Sequence, residues 1–444
     1  MTTPFEKAKT LRDIRREARL EALPADDPRY VPLDAARGQH VVKRFLKLLE
    51  HDGECLPQEP DAPCVHLAYA GHRGCGKTTE LNRLKKQLEE DGIYCAYFDA
   101  HPELVMGDLE YTDVLLYIAQ KMLEDVAKQV ELDPRVLEPV EHYFTEVTEI
   151  SREEIKKEVS LETSARAEGG VPFLFKLLAG ITARIGGSAS TAKELRTRLQ
   201  KRPDQLIGAV NLLLDHVTEK LKELGQNKPL LILDSLDRLQ PPVVERAILL
   251  EARVFTQLHI NLILTVPLAS IYIPSGESLT SQGIKVIALP MVSVRDKDQS
   301  WSQENAGHVD TLCKLIHARI DVNAVFENPE LVREMVLLSG GSFRELFELL
   351  GEAALEADEL PITRAHFEVG ARQVWRAYSA PLRFEDRKML VRIHQDKQVD
   401  HTPDAFRLLF HRFALEYNGR GWADVHPLIM QFDERFKTLL ESAP

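Results

Sequence analysis

Five short apolar runs separated by helical stretches predict an α/β protein built on a parallel five-stranded sheet flanked by helices. Two local patterns sharpen that expectation. One run leads into Gly71-His72-Arg73-Gly74-Cys75-Gly76-Lys77-Thr78 and then into a leucine-patterned helix. Another, Leu230-Leu231-Ile232-Leu233, ends in Asp234.

The 444 residues exceed one compact core and indicate two or three domains. A hydrophobic share of 44% beside 28% charged residues is that of an ordinary globular protein. The net charge of −13 argues against a surface that coats nucleic acid, although it leaves room for a local basic patch. Lys7, Lys9, Arg12, Arg15, Arg16 and Arg19 interleave with acids at the start of the chain, so no secretory leader is expected. The five cysteines (Cys55, Cys64, Cys75, Cys95, Cys313) form no C-x-x-C pair and no zinc spacing. They fit a reducing, cytoplasmic setting better than a disulfide scaffold.

In chain order, residues 1–30 are expected to form a charged helical arm ending at Pro24 and Asp27-Pro28. An amphipathic helix follows from Val41 to Leu49, with Val42, Phe45, Leu46 and Leu49 on one face, and then a loop carrying Pro57, Pro60 and Pro63. The first strand is Cys64–Ala70, its helix Lys77–Leu88 is closed by Gly92, and the second strand is Ile93–Asp99. Leu115, Ile118, Met122 and Val126 set a helix over Tyr111–Val130. Residues 131–200 are an insertion without strand alternation, its charged half (Glu138–Glu162) helical. Its other half, Gly169–Ile181, is the most apolar stretch of the chain. A spanning helix needs about 20 apolar residues, and Lys176 and Arg184 interrupt this one. It is either a helix or hairpin packed on a neighbouring domain or subunit, or an interfacial membrane or partner contact. The apolar-faced helix Asp204–Leu224 leads into the third strand, Leu230–Asp234, followed by Asn261–Val266 and Ile284–Leu289. Beyond Leu382, two helical stretches and Trp422–Ile429 have the layout of a small winged-helix-like module.

Strand, glycine loop and helix form the G-x-x-x-x-G-K-T context of a nucleoside-triphosphate site, with ATP as the expected ligand. Gly71, Gly74 and Gly76 let the backbone curl so that N–H groups of residues 71–79, His72, Arg73, Cys75 and Thr79 included, and the helix N-terminus aim at phosphate. Lys77 is expected to reach the β/γ-phosphates and Thr78 to ligate Mg²⁺. Alkylating or oxidising Cys75 should then block nucleotide binding. Asp234, at a strand's C-terminal edge, is the expected Mg²⁺-shell carboxylate. Asp237 either orients the attacking water or is a loop or helix-cap aspartate. Thr265, at the end of the fourth strand, either touches the γ-phosphate or its water, or only caps the strand.

With Gly71–Thr78, Leu230–Arg238, the Thr265 strand end and Ser339-Gly340-Gly341-Ser342-Phe343-Arg344-Glu345-Leu346, the chain resembles ATPases of the AAA+/STAND group, near the origin-recognition-type ATPases and the prokaryotic signal-transducing NTPases. The resemblance implies an ASCE-type sheet followed by an α-helical lid. It divides the chain into an arm (1–30), an ATPase core (31–290, with the 131–200 insertion), the lid (291–380) and the winged-helix-like module (381–444). It places Arg344 as a lid arginine that pairs with the γ-phosphate; the plain alternative is an exposed helix arginine paired with Glu345 or Glu348. It also sets Arg37-Gly38 at the border of the adenine pocket.

Two departures bear on mechanism. Ser235 stands where AAA+ motors carry a glutamate, and Leu268–Gly283 holds no arginine where they place a trans-acting one. Arg253 and Arg295 lie nearby in sequence, but nothing selects them. Slow or partner-stimulated hydrolysis is expected. The leading expectation is a Mg²⁺-dependent, ATP-hydrolysing switch that controls self-association or a partner effector of the bacterial defence or signalling kind. The alternative is an origin-recognition-like ATPase gripping duplex DNA with its winged helix, which the charge does not indicate. A third is a structural module that binds ATP without hydrolysing it. No membrane span is expected.

Overall fold

A computed structural model describes residues 5–49, 63–149, 172–226, 228–297, 303–417 and 421–443. Along the first strand alternate residues face opposite layers, as a period of two requires. Leu67 and Tyr69 pack on one side, with Leu81, Leu84 and Leu88. Ala68 and Ala70 face the other side, with Val114, Ile118 and Leu214. The three central strands are buried on both faces, which is why they read as continuous apolar runs.

In chain order the elements are α1 (Leu11–Glu17), α2 (Val41–Leu48), β1 (His66–Gly71), α3 (Lys77–Glu90), β2 (Cys95–Asp99), α4 (Tyr111–Val126), α5 (Pro134–Thr148), α6 (Pro172–Gly186), α7 (Ala189–Gln200) and α8 (Pro203–Glu223). Then come β3 (Leu230–Asp234), β4 (Asn261–Pro267), β5 (Lys285–Leu289), α9 (Ala306–His317), α10 (Glu330–Ser339), α11 (Phe343–Glu356) and α12 (Arg364–Ser379). The chain closes with α13 (Phe384–Asp396), α14 (Pro403–Phe410), β6 (Ala414–Tyr417), β7 (Trp422–Val425) and α15 (Glu434–Ser442), with shorter helical turns between these elements. The five strands stand in the order β2-β3-β4-β1-β5, all parallel. Strand β4 thus separates the strand that ends in Asp234 from the one that enters the glycine loop, the ASCE-type arrangement expected. Both loops leave the same, C-terminal, edge of the sheet, where ligands bind in open α/β folds.

The apolar stretch of the insertion has a local explanation. Helix α6 packs on α4 and α5, with Leu174, Leu177, Leu178 and Ile181 fully buried. Its hydrophobicity is spent inside this chain, and among the described residues no helix is long and apolar enough to cross a membrane. Gly169, Gly170 and the Ser151–Glu162 part of the charged half lie outside the described residues, as do Pro57 and Pro60. Among the described residues of the N-terminal arm, helix is confined to α1; the remainder runs without regular structure and reaches both halves of the molecule. Ala8 bridges Ile320, α1 packs on α11, and the Leu23 N–H donates to Thr79 Oγ1 at 3.3 Å.

Helices α9–α12 form a second core, which includes Ile14 of the arm. A winged-helix arrangement of α13, α14 and the antiparallel β6–β7 hairpin packs back on the sheet, with Leu415 and Tyr417 joining Leu289 and Met291. The three parts meet at Gly340-Gly341, whose φ values of +65° and +86° are left-handed. A Cβ on Gly341 would lie 1.8 Å from the Val292 carbonyl oxygen, and one on Gly340 2.7 Å from Leu415 and Pro427. Gly341→Ala is expected to cost about 3 kcal/mol from left-handed strain and overpacking together. Chemical denaturation checks this, and an unchanged midpoint would show that this junction is not closed in solution.

Candidate nucleotide-binding site

Helix α3 starts at Lys77 without a side-chain cap on its first N–H groups, because its N-cap is Gly76 at φ +96°. Those donors and the helix dipole therefore face the loop. Gly74, at φ +81°, allows close approach: a Cβ there would fall 2.7 Å from Arg344 Cβ. The Lys77 ammonium donates to the Gly71 and His72 carbonyls at 2.9 Å each and lies 2.8 Å from Asp237 Oδ2. Burial works most strongly against its charge, but Asp237, Cys75 and Asp234 together outweigh burial and raise its pKa.

Asp234 is 2% exposed and fixed by three donors. Its Oδ2 accepts from the Thr78 hydroxyl at 2.7 Å and from the Tyr97 hydroxyl at 2.6 Å; its Oδ1 accepts from the Ser235 N–H at 2.6 Å. Ser235 takes a left-handed φ of +68°, which turns the chain sharply so that Asp237 reaches Lys77. A hydroxyl and a carboxylate in contact are hard oxygen donors, and they fit Mg²⁺ held largely by water and phosphate. No group of three or more His, Cys, Asp or Glu among the described residues could hold a metal unaided.

One cleft of about 340 Å³ collects these groups. Arg73, Gly74, Lys77, Thr78, Asp234, Asp237 and Arg344 line its phosphate end. The other end is shaped by the arm and the lid: Leu23, Tyr30, Val31, Leu33, Leu315 and Phe347. Arg37, a lining residue as expected, braces the loop from below. Its guanidinium donates to Glu80 Oε1 at 3.0 Å and to the Cys75 carbonyl at 2.6 Å, and it stands 5.8 Å over the Phe343 ring. Arg319 stacks at 4.6 Å on Phe347, and burial beside Arg29 lowers its pKa to about 10.

Three expected residues face elsewhere. The His72 imidazole turns away to the winged-helix hairpin, where its Nε2 accepts the Glu416 N–H at 2.8 Å. The Cys75 thiol is 1% exposed beneath the loop, and burial raises its pKa, so an alkylating reagent meets no accessible thiolate in the folded chain. Cys64, Cys95 and Cys313 are also free thiols; Cys55 lies outside the described residues. Thr265 is wholly buried on β4, and it does not line the cleft. Arg344 lines the cleft while standing 3.8 Å from Glu348, a loose contact, and Glu345 pairs instead with Arg412. Sequence reasoning missed Tyr97, Glu80 and Arg319. The neighbour of β3 would have had to be known to find Tyr97, and strand order is not written in the sequence.

Removing the Tyr97 hydroxyl leaves Asp234 with two of its three donors. Tyr97→Phe is expected to raise the Mg²⁺ concentration for half-maximal nucleotide binding several-fold without changing Mg²⁺-free binding, measured by fluorescent-nucleotide titration. A second expectation concerns pH. Burial first, and nearby Arg412 and Lys77 next, depress His72 to about 3; burial, with Arg412 against Glu345, depresses His426 to about 4. An unfolded or undocked imidazole binds a proton below its ordinary value near 6.5, whereas the docked ones do not. Stability is therefore full above pH 6.5 and falls on acidification towards pH 4, by up to about 1.4 kcal/mol per pH unit per histidine. Glu345, despite burial, is held near 2 by Arg412, and adds a loss in the same direction only below pH 4.5. Thermal midpoints between pH 8 and 4 check this, and a flat profile would contradict it.

No family model matches the chain, and no curated protein matches its sequence. Among solved structures it is similar to the Orc1 protein of Aeropyrum pernix in complex with DNA, at 13% identity and a TM-score of 0.39, covering 99% of this chain and 98% of that one. It is similar also to Cdc6p from Pyrobaculum aerophilum, at 13% identity and a TM-score of 0.39, covering 94% and 97%. A Walker-type ATPase of Pyrococcus abyssi aligns at 11% identity and a TM-score of 0.43, covering 96% and 99%. These similarities run the length of the chain and include origin-recognition-type proteins, as the sequence motifs suggested, but they are too loose to carry the function of any one of them to this chain.

Proposed function

We propose that the chain is a Mg²⁺-dependent ATPase whose nucleotide state sets the docking of its lid and winged-helix module, and that it acts as a switch. The observation that supports this best is that the phosphate loop is itself the docking surface. His72 accepts the Glu416 N–H of β6, Arg73 stands 5.4 Å over the Phe410 ring of α14, and Gly74 abuts Arg344 of the lid helix. Lys77 and the loop N–H groups bind the phosphates, and Thr78 and Asp234 would hold Mg²⁺, which would supply charge neutralisation for phosphoryl transfer. Asp237 orients water once phosphate has drawn Lys77 away, and Arg344 reports the γ-phosphate from the lid. Hydrolysis is slow, consistent with Ser235 in place of a glutamate. The output is self-association or engagement of a protein partner; the bacterial defence or signalling setting rests on the sequence resemblance alone.

The winged-helix arrangement keeps a second reading in view, a DNA-gripping ATPase. In this structure α14, the helix before the hairpin, buries Ala405, Phe406, Leu408, Leu409 and Phe410, and it packs on Leu268–Ile271 of the core. It would have to be released before it could read DNA.

ATP turnover by the full chain, with and without duplex DNA, separates these readings. A slow rate indifferent to DNA supports the switch; strong stimulation favours the DNA reading. Lys77→Ala is expected to abolish turnover together with the ATP-dependent stabilisation, which at 100 times the dissociation constant amounts to about 2.7 kcal/mol in the wild type. An equal melting shift in the variant would refute the site.

A further inference from the structure

A phosphoryl-transfer site gains rate from a cation on the γ-phosphate, and in this chain the stretch between β4 and β5 holds no arginine to supply one to a neighbouring copy. The two arginines close to it in sequence do not serve. Arg253 is exposed on the turn Ala252–Thr256 and does not line the cleft. Arg295 lies at another groove, with Arg364 and Phe432, in the field of Tyr417 and Asp424. Inside the cleft, Arg37 is engaged by Glu80 and Arg319 by the Phe347 ring, Arg73 lies over Phe410, and Arg19 comes from the N-terminal arm just after α1 rather than from the sheet edge. Arg344 belongs to the lid and moves with it.

Arg238 is different. It closes the single 3₁₀ turn Leu236–Arg238 directly after β3, anchored by Leu236 and Leu239, both fully buried. The residue before it, Asp237, lies 2.8 Å from Lys77, so the turn stands at the phosphate end. Arg238 itself is exposed and lines the cleft; its N–H donates to the Ser235 carbonyl at 3.2 Å, while its guanidinium makes no hydrogen bond or ion pair with any described residue. Its charge is felt there: after burial and Arg412, the positive charges of Arg344 and Arg238 help to lower the pKa of Arg73, against the pull of Asp237.

We propose that Arg238 is the catalytic arginine of this ATPase, supplied in cis from the turn after the metal-binding strand, so that a single chain carries a complete hydrolytic site. The proposal rests on the ATPase reading above. Water oxygen bonds to the γ-phosphorus, and the bond to the β,γ-bridging oxygen breaks with its electron pair left on ADP. One water proton leaves through Asp237 to solvent, giving ADP, hydrogen phosphate and a proton. Arg238 donates to the γ-phosphoryl oxygens as their charge is redistributed, from a rigid turn on the sheet. Arg344 reaches the same group from the mobile lid, so closure brings the second guanidinium to the first.

The test compares wild type, Arg238→Ala, Arg238→Lys and Lys77→Ala as full chains. It measures kcat and KM for ATP, turnover per chain against protein concentration, and binding of ADP with and without aluminium fluoride, a planar mimic of the transferring phosphoryl group. Expected for Arg238→Ala is a loss of about 10³-fold in kcat, KM and ADP affinity within about threefold of wild type, and loss of the extra affinity conferred by aluminium fluoride. Arg238→Lys, which keeps the charge but not the fork of donors, recovers only part. Turnover per chain stays constant with concentration. Wild-type kcat in Arg238→Ala overturns the proposal, and so does a rate per chain that rises with concentration, which marks an arginine from a second copy. A wild type that binds ATP through Lys77 yet neither hydrolyses it nor gains affinity with aluminium fluoride also overturns it, while leaving the binding site standing. If Lys77→Ala binds and turns over as wild type does, it is the underlying site assignment that has failed.

Discussion

A buried ion pair between the lid and the winged-helix module holds the rest of the arrangement in place. Glu345 has no exposed surface, and its carboxylate accepts two bonds from the Arg412 guanidinium, at 3.0 and 2.7 Å, and a third from the Ser342 hydroxyl. A carboxylate taken so completely out of water is tolerable only because it is paired; removing one partner of such a pair costs about 3–5 kcal/mol. Arg412 holds a left-handed φ of +63°, a cost accepted at that turn, and its carbonyl takes the Tyr378 hydroxyl at 2.5 Å. The pair joins one side chain on the lid helix to one just before the hairpin, so separating these two parts requires breaking it.

That coupling passes directly to the phosphate loop. Arg344 precedes Glu345 on α11 and packs against Gly74; four residues after Arg412, the Glu416 N–H meets His72. Of the loop residues, His72 and Arg73 are the ones whose side chains touch the module. A ligand shifts such an equilibrium only by its differential affinity for the docked and released states. A loop that serves phosphate with its backbone and the module with its side chains has a physical means to create that difference. Lys77 adds another, since its present acceptors, two loop carbonyls and Asp237, are those that phosphate oxygens would compete with.

What could be read from the sequence was what depends on neighbours in the chain. Each strand declares itself in five to seven apolar residues, and the glycine loop in eight, so the sheet and the phosphate end of the cleft were legible within about two residues at each boundary. What could not be read depends on distant partners. Tyr97 meets Asp234 across 137 positions, Glu416 meets His72 across 344, and Arg412 meets Glu345 across 67. The apolar run in the insertion was ambiguous for the same reason, because the helices that cover it, α4 and α5, are identified only by the fold. The arm was expected to be a charged helix, but outside α1 it is held by contacts to distant partners, Ala8 to Ile320 and the Leu23 N–H to the Thr79 hydroxyl.

The electrostatics of the cleft tie these local and distant contributions to one ligand class. Seven lysine and arginine side chains and five carboxylates line it, in a chain whose overall charge is −13. An acidic protein that gathers cations at one sheet edge, beside the uncapped N-terminus of α3, concentrates positive potential where its surface otherwise repels anions. Of the carboxylates, Glu80 is satisfied by Arg37 and Arg83, and Asp234 by two hydroxyls and an N–H. The cations left around the loop, rather than within it, include Arg73, Arg238 and Arg344. A compact polyanion entering with a divalent cation would meet those cations together with the helix N-terminus. A neutral ligand of the same size would leave these guanidinium groups, Arg73 and Arg344 half-buried and Arg238 exposed, without compensation; burial first and the neighbouring cations next already lower the pKa of Arg73.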